Sequence, residues 1–117
     1  MDFTCILKGL CEGALAQGAA MTDRDGEIVA SWSASEGLDM PLVGAHCEII
    51  LDAANEAASI RGRTINSIFI STDRAKLAIM PIKEGYCLTV ALDRQAPSEK
   101  VLPEALRAIE SIEEEMG

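Results

Sequence analysis

Apolar residues recur along this chain with two different periods, and the switches between them mark out the elements. Phe3, Ile6, Leu7, Leu10 and Ala14 recur every three or four residues, the spacing that lines one face of a helix, and Asp2 stands where a helix cap belongs. Residues 2–14 therefore read as a short helix. Gly18 to Thr22 and Glu27 to Trp32 are small or apolar runs flanking Asp23-Arg24-Asp25-Gly26. Asp-Gly between two such runs predicts a hairpin, because glycine takes positive φ cheaply. Ser35 to Met40 reads as a loop. Leu42 to Arg61, preceded by Pro41 as a first helical position and followed by Gly62 as a stop, predicts a long helix. Three strand-like runs follow, Thr64 to Thr72, Lys76 to Ile82 and Tyr86 to Leu92, joined by turns short enough for hairpins. In the first run Ile65 and Phe69 lie on one face and Ile68 and Ile70 on the other, so both faces ask to be covered. Pro103 to Met116 is a last amphipathic helix. Its stripe is Leu102, Leu106, Ile109, Ile112 and Met116, with Ser98 to Leu102 as a separate turn.

The long helix is too apolar to serve a single burial surface. At about 100° per residue, Glu48, Asp52, Asn55, Glu56 and Ser59 fall in one arc of roughly 100°, and the remaining apolar or small residues spread over roughly 200°. Packing on one core takes a stripe of about 100° or somewhat more. The element order predicts an α/β protein of the α+β type: a five-stranded antiparallel sheet with helices on both faces, in the order α-β-β-α-β-β-β-α. If the end helices share one face, the middle helix covers the other almost alone. A helix about 10 Å wide cannot cover five strands spaced ~4.8 Å apart. The symmetric solution is a two-fold dimer with two copies of that helix side by side. Ala53, Ala54, Ala57 and Ala58 suit close approach, with Ile49, Ile50 and Ile60 filling the gaps. His46 projects near the middle of the apolar arc and is expected as an interface residue, either hydrogen-bonded or pH-sensitive.

Composition narrows the function. At 117 residues the chain is expected to form one domain, residues 1–117. The hydrophobic fraction of 49% is that of a globular protein. Aromatics are limited to Phe3, Trp32, Phe69 and Tyr86, so the core must be aliphatic, and Trp32 is expected in the core or at its edge, an exposed position instead favouring an interface. A net charge of −9 with no Lys/Arg cluster disfavours nucleic acid and anionic membranes; the acidity mainly serves solubility and could steer a basic partner. Cys5, Cys11, Cys47 and Cys87 sit in apolar stretches without a C-x-x-C pair and are expected as small hydrophobes. No signal-peptide pattern and no apolar run of ~20 residues is present, so a reduced, cytoplasmic protein without membrane insertion is expected.

Motifs for chemistry are weak. The Asp-x-Asp-Gly run superficially matches a calcium loop, but in that register Met21 and Trp32 would occupy ligand positions. No phosphate-binding glycine loop and no Gly-x-Ser-x-Gly elbow occurs. His46 and Cys47 are adjacent, but neighbouring helical side chains point about 100° apart. The chain is read as non-enzymatic, with no cofactor and no metal. Glu48, Asp52 and Glu56 form an acidic stripe, read as a solvated helix face or as a docking rim. Arg61 and Arg63 either stabilise the helix end or act in trans on a phosphoryl group.

In order and spacing these elements resemble the roadblock/dynein light-chain family, from about Glu12 to Glu115. The resemblance rests on Gly18-Ala-Ala-Met-Thr-Asp-Arg-Asp-Gly-Glu-Ile-Val-Ala-Ser31 and the small-residue middle helix, then on Ser67-Ile-Phe-Ile-Ser-Thr72, Leu77-Ala-Ile-Met-Pro-Ile82 and Gly85-Tyr-Cys-Leu-Thr-Val-Ala-Leu92. It implies a profilin-like, non-catalytic dimer that docks on small Ras-like GTPases, in some members stimulating their hydrolysis, or that tethers motor and signalling assemblies. It also implies that the middle helices pair and that sheets join through the third strand, which would bring Ile68 and Ile70 to the interface. Three readings result. The first is a dimeric regulator of a small Ras-like GTPase, the second an adaptor that leaves nucleotide turnover alone. The third is a small-ligand sensor with a pocket over Ala19, Ala78 and Ala91.

Overall fold

The computed structural model describes residues 2–117. Helix α1 spans Phe3–Ala14, and its cap is the expected one: the Asp2 carboxylate accepts a 2.8 Å hydrogen bond from the Cys5 amide. Strands β1 (Gly18–Thr22) and β2 (Ile28–Ser33) form the hairpin across Asp23–Gly26, where Gly26 has φ +83° and the Asp23 side chain accepts from the Asp25 and Glu27 amides. Helix α2 spans Met40–Ser59, capped by Asp39, so Met40 takes the first position and Pro41 the second. Strands β3 (Ile68–Ser71), β4 (Ala75–Pro81) and β5 (Cys87–Asp93) precede α3 (Val101–Met116).

All pairings are antiparallel, and the five strands lie in the order β2-β1-β5-β4-β3. The fold class and the order of elements along the chain are the expected ones. One face carries α1 and α3 over Met21, Met80, Leu88 and Leu92; the other carries α2 over Ala20, Ile79, Cys87 and Ala91. Leu7, Met80, Leu88 and Ile112 are fully buried, each stabilising by about 1.5–3 kcal/mol relative to exposure.

Three expectations need correction. Strand β3 is shorter than Thr64–Thr72, because the Ile65 amide donates to Asn55 Oδ1 (3.3 Å) and is tied to α2 instead of a sheet neighbour. Phe69 is 51% exposed: the α1–α3 layer does not reach the edge strand, so only one face of β3 is covered. Helix α3 begins at Val101, with Pro103 inside its first turn, where a missing N–H costs nothing. Its buried stripe is Val101, Ala105, Ala108 and Ile112, while Leu102 and Leu106 are exposed. The small stripe lets α3 approach closely, and period alone cannot choose between two adjacent stripes.

Candidate functional site

The two sides of α2 divide as its sequence pattern requires. Met40, Gly44, Cys47 and Leu51 face the sheet and are buried. Gly44 is where the helix comes nearest: a Cβ there would lie 2.9 Å from the Ala20 Cβ. The opposite arc is apolar and uncovered. Leu42, His46, Ile49, Ile50, Ala53, Ala57 and Ile60 are exposed, Ile49 at 62% and Ile60 at 85%. On a 100° projection they occupy one arc of about 100° directed away from the sheet. Ala54 is half-buried at the margin of this arc, whereas the half-buried Ala58 projects to the sheet-facing side with Met40, so of the four alanines only Ala53 and Ala57 lie on the exposed arc.

The helix flanks differ in character. Glu48 lies toward the β1–β2 turn: a Cβ added at Gly26 would stand 3.3 Å from its Oε2. Val43 lies toward the far strands, in a cluster with Ile65, Ile68, Ile70 and Leu77. The exposed arc therefore continues from α2 down onto β3. Ile68 and Ile70 are half-buried on that same side of the sheet. Strand β3 is also a free edge. The Thr72 amide bonds the Ala75 carbonyl, and bonded pairs alternate along an antiparallel ladder. This directs the main-chain groups of Phe69 and Ser71 outward.

The docking residues expected from sequence are not brought together. Glu48 is 6% exposed, not part of a solvated stripe. The turn folds over it, and burial, the Asp52 carboxyl, and then Asp23 and Asp25 push its pKa up. Asp52 and Glu56 remain exposed, and Arg61 and Arg63 sit exposed around Gly62, which has φ +67° beyond the helix end. His46 is exposed and Cys47 is buried on the other side of the helix. Burial raises the Cys47 thiol pKa and pushes those of Cys11 and Cys87 up to about 12, so these three sulfurs stay protonated thiols. Cys5 is exposed instead of buried.

Ala19 and Ala78 lie fully buried in the α1–α3 core, and Ala91 packs with Met40. These small residues mark where helices close on the sheet; they do not line a ligand chamber. Among the described residues, no group of three or more His, Cys, Asp and Glu side chains is arranged to hold a metal ion. Among the described residues, no helix is long and apolar enough to cross a membrane. Sequence reasoning missed Phe69 and the edge of β3 it stands on. Alternation had put Phe69 opposite Ile68 and Ile70, which was the available signal.

Comparison with known proteins places this geometry. Residues 10–92 match the model of the Roadblock/LC7 domain. No curated protein matches the chain. Among solved structures, a Roadblock/LC7 domain from Streptomyces avermitilis superposes with a TM-score of 0.88 at 16% identity, covering 99% of this chain and 98% of that one. MglB from Myxococcus xanthus gives 0.85 at 15% identity over 94% of this chain and 84% of its own. Profilin II from Acanthamoeba castellanii gives 0.67 at 14% identity, covering 95% and 96%.

Proposed function

The chain belongs to the Roadblock/LC7 domain family, and from that premise we propose that residues 1–117 act as one domain, a non-catalytic homodimer that docks on and regulates a small Ras-like GTPase. The observation that carries the dimer is the uncovered apolar arc of α2, continuous with the half-buried Ile68 and Ile70 and the free edge of β3. Pairing two such arcs removes Leu42, Ile49 and Ile60 from water, and Ala53 and Ala57 let the helices approach. His46 lies within this surface. The solved MglB with a tetrameric arrangement supports self-association in proteins of this fold. The GTPase partner rests on the family resemblance, with Asp52, Glu56, Arg61 and Arg63 as the exposed polar rim that a third protein would meet.

The test is binding and turnover with purified small Ras-like GTPases. The regulator predicts binding to the GTP-loaded form and an altered hydrolysis or exchange rate. Binding with both rates unchanged makes the chain an adaptor. No binding to any nucleotide state overturns the GTPase reading while leaving the dimer standing.

A further inference from the structure

The sheet has a second free edge, at β2, and it is unusually bare. No strand lies beyond β2 among the described residues. The Ala34 amide bonds the Gln17 carbonyl, so the bonded pairs are 17 with 34, 19 with 32 and 21 with 30. The alternate residues, Ser31 and Ser33, turn their N–H and C=O groups outward. Exposed edges are ordinarily blunted by Lys, Pro, inward charges or bulges. Ile28-Val29-Ala30-Ser31-Trp32-Ser33 contains neither Lys nor Pro nor any charge, and the register break at Met21/Thr22 touches only its start. Exposed Ile28 and Val29 add apolar surface.

Both ends of this edge are acidic. Asp25 and Glu27 are exposed at its start and Glu36 and Asp39 beyond its end. The one cation from Gly18 to Asp39 is Arg24, and it is turned away: its Nη2 donates to the Glu84 carbonyl (3.1 Å) and its stem packs on Gly85. A second copy is a poor occupant, because antiparallel pairing of two β2 strands sets the acidic turn of one beside Glu36 and Asp39 of the other.

We propose that the outer edge of β2 receives an extended, Lys- or Arg-bearing segment of a partner protein as an added strand. Ser31 and Ser33 supply the main-chain hydrogen bonds, and the acidic ends fix where the cations of the segment fall. This inference uses neither the α2 dimer nor the GTPase.

Amide hydrogen exchange tests it, with a blocked peptide of alternating Lys and Val as probe and its Glu–Val counterpart as control. At ~1 mM peptide, where a Kd of about 1 mM gives half-occupancy, the Lys peptide should slow exchange at Ser31 and Ser33 and the Glu peptide should not. Ser31→Pro removes an outward N–H without touching the β1 ladder, and should weaken binding by about tenfold. Should that variant fold poorly, the surface variant Asp25→Lys/Glu27→Lys should shift preference from the Lys peptide toward the Glu peptide. Absence of slowing at Ser31 and Ser33, or slowing unaffected by both variants, overturns the proposal. Sedimentation of the peptide-bound chain should be that of the unbound oligomer, which keeps this result separate from the fate of the α2 dimer.

Discussion

Glu48 carries a charge the fold resists. Its side chain is almost wholly buried beneath the Asp23–Gly26 turn, among Asp52, Asp23 and Asp25, and burial first and the carboxylates second raise its pKa above 4.5. A raised carboxyl stabilises the fold while protonated, below its unfolded value near 4.5, and that contribution is lost as pH rises through the folded value. Glu48→Gln should therefore match the wild type in urea at pH 4 and be more stable at pH 7. Equal stability at both values would mean that the turn swings clear of the carboxylate. The residue also shows what sequence could resolve. Helical projection placed Glu48 correctly beside Asp52, but at the edge of the polar arc nearest the sheet. Whether that edge was wet depended on where the hairpin turn came down, a contact between segments about twenty residues apart that local pattern does not encode. Cys5 failed in the mirror sense, an apolar-looking position left outside because α1 turns Ile6 and Leu10 inward.

At the scale of elements, α2 docks through its smallest residue. A methyl at Gly44 would press to 2.9 Å from Ala20 and 3.4 Å from Thr22, whose hydroxyl is buried without a hydrogen-bond partner. Gly44→Ala gains about 1 kcal/mol of helix propensity but must push the helix off β1, a strain of about 1–3 kcal/mol. A net loss of about 1 kcal/mol in chemical denaturation is expected; a gain would show that the helix–sheet contact is slack. The existence, order and type of every strand and α-helix were legible from periodicity, and the Asp2 cap and the Gly26 turn from residue type; the Asp39 cap emerged only with the structure. What period could not decide was rotation and reach. In α3 the Leu102–Leu106 stripe and the Val101–Ala105 stripe are both helical, and packing chose the smaller. In β3 the Asn55 side chain captured the Ile65 amide before the strand began.

At the scale of the whole molecule, the two sheet faces are unequally covered. Two helices cover one face and a single helix the other, which leaves Ile68, Ile70 and Leu77 half-buried beside α2 and a row of Ile and Leu facing outward above them. The sequence already carried that surplus in the width of the apolar arc. It did not carry the asymmetry of the flanks, acidic toward the β1–β2 turn and apolar toward β3, which gives the dimer surface its direction. Ile49, 62% exposed, and Ala57 are exposed on the arc of α2 directed away from the sheet, so a charge at either is expected to leave the protomer folded. The most direct measurement is sedimentation equilibrium of the wild type beside Ile49→Glu and Ala57→Glu. The wild type should sediment at twice the mass of the 117-residue chain, and both variants as a folded single chain. A wild type that sediments as one chain, or Glu variants that dimerise with undiminished affinity, would contradict the α2 dimer.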